Sequence, residues 1–331
     1  VGHLADFGDT YPVLITYSGE AIEGSALTPQ GEVVLTRGHA YNPRLLGLVN
    51  AKLGADNCAL GLAANAIRAD AAGSSTTTSP SAPAAAGSTA NNTIDVLVYY
   101  SPDMEVLYGS AAGVATRVDA LFAAANQAYN AAQLGYSLRR VGLKKIATSE
   151  TTSNPDTLPL LRQGMGEFAN VAAERNSAGA DLVTVIRPLR IADHQNCGQA
   201  YIGGYGGTDF SGFANSMYSM VSDGVDRNGT GTYCDTTILA HETGHNLGLM
   251  HDRPTVALQG GGTGVKPYAF GYAISNTWGT IMSYTFPVVY RFSDPTDTTC
   301  PNNVPCGVPA SASDSADNVL ALSYSLPIAA A

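Results

Sequence analysis

The chain has 331 residues, of which only 13% are charged, and a formal net charge of −10. That length allows a sizeable core and one to three domains, while the acidic balance speaks against nucleic acid or an anionic membrane surface as a partner. No apolar run approaches the roughly 20 residues of a membrane span, and the five cysteines include no C-x-x-C pair, which fits a secreted protein with disulfides better than a cysteine zinc site.

Residues 1–75 read as a small β-rich unit, with strands predicted at 13–17 and 32–36 and a short helix at 44–52. Residues 76–92 continue a Ser/Thr/Pro/Ala-rich run that begins at Gly73. Such a run has almost nothing to bury and reads as an exposed linker open to proteolysis. Residues 93–331 form the second unit. Its first strand is predicted at 94–100, a nearly continuous apolar run. Pro102 then marks a helix start, and Val114, Val118, Leu121, Phe122, Ala125 and Tyr129 recur at helical spacing. The expectation is one long helix reaching about Leu134. A strand at 136–146, a helix at 158–175 and a strand at 181–186 follow, the last apolar on both sides as in the middle of a sheet. Short strands are predicted at 198–203 and 216–221, a helix at 236–248 and a final helix at 316–323. The alternation favours a mixed α/β sheet.

The chemistry lies in residues 241–252, which read H-E-x-x-H-x-x-G-x-x-H-D. Positions i and i+4 share one face of a helix, so His241 and His245 point at one spot, where two imidazoles suit a zinc ion. Gly248 lets the backbone leave the helix through a left-handed turn and bring His251 round as a third ligand. Three histidines leave the fourth zinc position to water, the mark of a catalytic rather than a structural site. Glu242, beside the first ligand, would act as general base on the zinc-bound water and then protonate the leaving amine. Asp223, Asp226, Asn228 and Asp235 follow no calcium-loop spacing, so calcium has no support.

Residues 241–251, followed by Gly279-Thr280-Ile281-Met282-Ser283-Tyr284, resemble a metzincin metalloprotease. Asp252 after the third histidine resembles the reprolysin type. Residues 94–100, 126–129, 181–186, 197–201 and 290–295 resemble reprolysin-like secreted proteases, a set that includes the peptidyl-Asp metalloendopeptidases. The resemblance implies an α/β (α+β) zincin domain with a twisted mixed sheet, an active-site helix and a methionine turn at Met282, preceded by a β-rich propeptide. It implies a secreted, monomeric zinc endopeptidase, held latent as a proenzyme by its own propeptide. Tyr284, two residues after the methionine, resembles a tyrosine that ligates zinc or stabilises the oxyanion in related enzymes; a cleft-wall role is the alternative. Gly198, Gln199, Ala200 and Tyr201 map onto an edge strand that pairs with extended substrate, against the plainer reading of an ordinary edge strand. The resemblance suggests that Cys197 pairs with Cys234; Cys300 and Cys306, enclosing a short loop, are the natural second bridge. Cys58 is then left over, either as a zymogen zinc ligand or as a buried free thiol.

Other residues are weaker candidates. His194 lines the cleft or is an ordinary loop histidine. Arg291 or Lys266 meets an acidic substrate side chain or is structural. Two rival functions remain: a catalytically silent binding or adhesion protein on the same scaffold, and an endopeptidase of narrow specificity that cuts before Asp.

Overall fold

The computed structural model describes residues 1–4, 10–19, 21–36, 39–43, 46, 49–50 and 92–331. Cys58, most of the predicted helix at 44–52 and nearly all of the linker lie outside the described residues; Val49–Asn50, within that predicted helix, are a short strand instead, because they pair with Thr232 and Tyr233. The N-terminal unit is an antiparallel sheet of β1 (Gly2–His3), β2 (Pro12–Tyr17), β3 (Ile22–Thr28), β4 (Gly31–Thr36) and β5 (His39–Tyr41), paired in that order. His3 and His39 are exposed on it.

The second unit is built on a mixed sheet. β7 (Thr93–Tyr100) lies between β8 (Ser137–Lys145) and β9 (Leu182–Pro188), parallel to both, and β9 pairs in parallel with β11 (Tyr218–Val225). The far edge of β11 carries two antiparallel partners, β10 (Gly198–Ala200) and then β12 (Thr232–Cys234), and β12 pairs with the short β6 (Val49–Asn50). β7 shows why the sheet has helices on both faces. Its Ile94, Val96 and Val98 enter one core cluster and its Leu97 and Tyr99 another, the two-residue period of a strand apolar on both sides.

On the first face lie α1 (Pro102–Tyr108), α2 (Ala111–Ala131), α6 (Ile238–Asn246) and α8 (Asn318–Ala329); on the second lie α3 (Asn154–Gln163) and α4 (Val171–Ala178). A four-residue helix, α5 (Ile191–His194), precedes β10 and a short α7 (Arg253–Leu258) follows α6. Two predicted helices are divided. Gly109, at φ 85°, ends α1, and Ser110 caps α2 by accepting from Gly113 N at 3.1 Å. Gly164, at φ 64°, ends α3 before α4 begins. Helical spacing of apolar residues continues across both breaks, which hid them, whereas the left-handed glycines stop the backbone hydrogen bonding. The predicted helix at 316–323 runs instead from Asn318 to Ala329, and the strand expected at 216–221 begins at Tyr218.

The N-terminal sheet packs on the second unit. Leu14 and Leu27 are buried with Trp278, Val289, Tyr290 and the Cys300–Cys306 disulfide. Thr16 Oγ1 donates to Thr116 O on α2 at 3.0 Å. Close by, Arg117 forms a fully buried ion pair with Asp223 at 2.7 Å. No helix among the described residues is long and apolar enough to cross a membrane.

Candidate active site

Helix α6 carries the first two histidines and ends where Gly248 allows it to. Gly248 N donates to His245 O at 2.8 Å and Leu249 N to Gly244 O at 2.9 Å, the paired bonds of a glycine-terminated helix. Gly248 sits at φ 91°, and a Cβ there would fall 2.6 Å from Gly203 O and 2.5 Å from Val265. The chain then runs beside residues 269–271, with Met250 N donating to Ala269 O at 2.8 Å, and delivers His251 to the helix face.

The three imidazoles converge. His251 Nε2 lies 3.1 Å from His241 Nε2 and 3.0 Å from His245 Nε2. His241 Nδ1 donates to Ile281 O and His245 Nδ1 to Leu249 O, each at 2.8 Å. A carbonyl oxygen only accepts, so the ring proton of each is fixed on Nδ1 and Nε2 presents a lone pair. His251 Nδ1 faces Gln259 Oε1 at 2.8 Å, which gives it the same tautomer. Three lone pairs aimed at one point repel each other unless a cation lies between them. The donor set and its spacing suit tetrahedral zinc, and these three are the group among the described residues that can hold a metal ion.

The surrounding segments fix this arrangement. Met282 is buried against Gly244, where a Cβ would approach its sulfur to 2.6 Å. The Tyr284 ring lies 4.5 Å from that of His251, centroid to centroid. Asp252 joins three parts: its N–H donates to Met282 O at 3.0 Å, its Oδ2 accepts from Tyr284 N at 3.3 Å, and its Oδ1 accepts from Thr255 N at 3.1 Å to cap α7. Asn246 was not singled out in the sequence, yet its Nδ2 lies 2.6–3.0 Å from the carbonyls of Tyr201, Ser216 and Tyr218 and ties α6 to the edge of the sheet.

β10 passes directly beside Glu242. A Cβ on Gly198 would come within 2.4 Å of the Glu242 carboxylate. Gly198, Gln199, Ala200 and Tyr201 are all buried, and His241, Glu242, His245 and His251 are each 1% exposed, so the site is shielded from solvent in the intact chain. Cys197 bonds to Cys234, which clamps the start of β10 to β12. A cavity of about 1010 Å³ lies elsewhere, at the seam between β1 and the loop around Asp297, and none of the site histidines lines it.

The weaker candidates do not join the site. His194 is fully buried: its Nδ1 accepts from Ser222 Oγ at 2.8 Å and its Nε2 donates to Glu150 O at 3.1 Å. Burial, and then Arg187, push its pKa down to about 3, so it is a neutral structural group. Arg291 pairs with Asp297 at 3.2 Å, and Lys266 lies over the ring of Tyr324 at 3.6 Å. Of the carboxylates considered for calcium, Asp223 holds Arg117 and Asp226 accepts from Ile191 N and Thr230 N. Asp235 accepts from Thr237 N.

At the other end of α6 lies a contact that the sequence did not suggest. Glu32 of β4 is buried there; its Oε1 accepts from Tyr290 Oη at 2.7 Å and its Oε2 from Thr236 N at 3.4 Å. Ser25 Oγ lies 2.7 Å from the same tyrosine oxygen. Burial, and then the nearby Asp235 charge, raise the Glu32 pKa.

Comparison with known proteins places these features in a family. Residues 90–312 match the metallo-peptidase family M12B, reprolysin-like. A peptidyl-Asp metalloendopeptidase of Pseudomonas aeruginosa is 28% identical over 218 residues, covering 61% of this chain; the chain spans about a third of that relative's length, 33%. Among solved structures, one titled as a chaperone–substrate complex superposes with a TM-score of 0.52 at 20% identity, over 73% of this chain and 35% of the other. Metalloproteinase-II from Bacteroides fragilis superposes more loosely, with a TM-score of 0.37 at 10% identity, over 87% of this chain and 73% of the other.

Proposed function

The chain belongs to the reprolysin-like M12B metallopeptidase family, and from that premise we propose that it is a secreted zinc endopeptidase, held latent by its own propeptide. The observation that carries the proposal is the convergence of three Nε2 lone pairs on one point. His241, His245 and His251 would hold the ion. A zinc ion so held supplies Lewis acidity, polarising a carbonyl and acidifying water.

The rest of the chemistry belongs to the chain. Glu242 takes a proton from the attacking water and returns it to the leaving amine. The backbone of Gly198–Ala200 aligns an extended polypeptide by main-chain pairing, which is indifferent to most side chains. The glycine at 198 lets that strand run against the Glu242 carboxylate. Tyr284, whose ring lies against that of His251, would steady the carbonyl oxygen as it gains charge. Met282 forms the floor.

Latency is supported by the burial of every one of these groups except Tyr284, which is half-buried, and by the docking of the N-terminal sheet through Leu14, Leu27 and Glu32. Residues 1–75 are then the propeptide and 76–92 the cleavable linker. Cys58 is the candidate zymogen ligand, and Cys58→Ala should shorten the lag before autoactivation; an unchanged lag would remove it from the switch. Two disulfides fit an extracellular setting.

A narrower reading, cleavage before Asp, is favoured by the name of the Pseudomonas relative. Casein digestion by linker-cleaved protein tests both readings. Activity should vanish with a zinc chelator and return with added zinc. Sequenced products beginning uniformly with Asp would establish the narrower specificity, and mixed termini would exclude it. No digestion under any of these conditions would favour the silent binding protein.

A further inference from the structure

The three ligand histidines are not oriented alike. His241 and His245 lean on the backbone carbonyls of Ile281 and Leu249, acceptors that any sequence would supply. His251 leans on a side chain, Gln259 Oε1, at 2.8 Å. We infer that Gln259 is a positioning residue for the third zinc ligand: it holds the His251 proton on Nδ1 and aims Nε2 at the metal. The inference rests on the zinc site proposed above.

The local fold is arranged to deliver this one amide. Asp252, next to His251, caps α7 through Thr255 N at 3.1 Å and Thr255 Oγ1 at 2.9 Å. Pro254 fills the first turn, where its missing N–H costs nothing. Val256 anchors the helix in a cluster with Ile202, Met250 and Phe270. Less than two turns later, Gln259 N donates to Thr255 O at 3.1 Å, which brings its side chain back over His251. The chain then turns away at once. Gly260, Gly261 and Gly262 have φ values of 94°, 83° and 127°, a run that residues with a Cβ resist. α7 is therefore a short arm, fixed at Asp252 and released at the glycines, with Gln259 at its tip. Leu258 beside it is almost fully exposed at 91%, so what ties the tip to the site is the hydrogen bond between Gln259 and His251.

A partner on the far nitrogen of a metal-binding histidine fixes its tautomer and raises its basicity. Losing such a partner costs about 10–100-fold in metal affinity or activity. Gln259→Leu keeps the size and removes the acceptor; Gln259→Glu keeps an acceptor. Both variants are made in the full chain, cut at the linker and compared with wild type. Zinc affinity and release rate are read by competition with a chromogenic chelator. The d–d spectrum of the cobalt-substituted protein reports ligand geometry, and the melting temperature of the zinc-free protein reports the fold. Gln259→Leu should bind zinc about 10–100-fold more weakly and shift the cobalt spectrum, with an unchanged zinc-free melting temperature. It should lower kcat with little change in KM. Gln259→Glu should restore zinc retention to wild type or above. Wild-type zinc affinity and spectrum in Gln259→Leu would overturn the inference, as would equal losses in both variants. If wild type itself binds no zinc, the proposed site fails instead.

Discussion

The two ends of helix α6 are held by different means. At its C-terminal end, the metal-facing histidines and the partners of their ring nitrogens all come from residues 241–281, and much of the holding is done by backbone: carbonyls of Leu249 and Ile281 on the imidazoles, and the glycine-terminated turn at Gly248. At its N-terminal end, Thr236 meets Glu32, a residue 204 positions earlier in another unit of the chain. The first end is local and rigid. The second is a long-range contact through one buried carboxylate, and buried carboxylates are costly unless well partnered. A site that must keep its geometry through activation is best built the first way. A docking contact that must come apart is best built the second way.

The largest effect expected from perturbing this contrast is at the rigid end. Gly248→Ala would place a Cβ 2.6 Å from Gly203 O in a left-handed turn. Left-handed backbone alone costs an alanine about 1–2 kcal/mol, and the clash adds to it. Zinc affinity should fall by at least about 100-fold, or roughly 3 kcal/mol, in a chelator titration. Retention of wild-type affinity would mean that the turn does not set the position of His251.

A smaller, pH-dependent effect is expected at the docking end. The Glu32 pKa is raised by docking above its ordinary value of 4.5. Docking is then fully favoured below that value and weakens as pH rises through the raised pKa, by at most tenfold per pH unit. After linker cleavage, the N-terminal unit should leave the catalytic unit more readily at neutral than at acidic pH. Glu32→Gln should flatten this dependence. The check is the dissociation rate of the cleaved fragment across pH, and a wild-type profile in Glu32→Gln would show that another group controls release.

The same contrast explains what the sequence disclosed. Residues 241–252 hold ligands, base and turn within a dozen positions, and helical geometry alone converts that spacing into a site. β7 and β9 were legible because their apolar runs answer to a core on both faces. Gln259 was harder to find, although Asp252, Pro254 and Thr255 carry the signature of a capped helix; its short length hid the return toward His251. Asn246 shows no signal at all, because its partners Tyr201, Ser216 and Tyr218 adjoin it only through the sheet. Glu32 carries no signal in the sequence beyond its place in a predicted strand. Only the docked arrangement shows it buried between Tyr290 and Thr236.

In the proposed mechanism Glu242 performs proton transfer next to a zinc site that it does not itself build. The direct measurement is zinc content and casein turnover of linker-cleaved Glu242→Ala. One zinc per chain, as in wild type, is expected, with a loss of turnover of about 100-fold or more, the usual worth of a positioned general base. Turnover at the wild-type rate with zinc bound would contradict it.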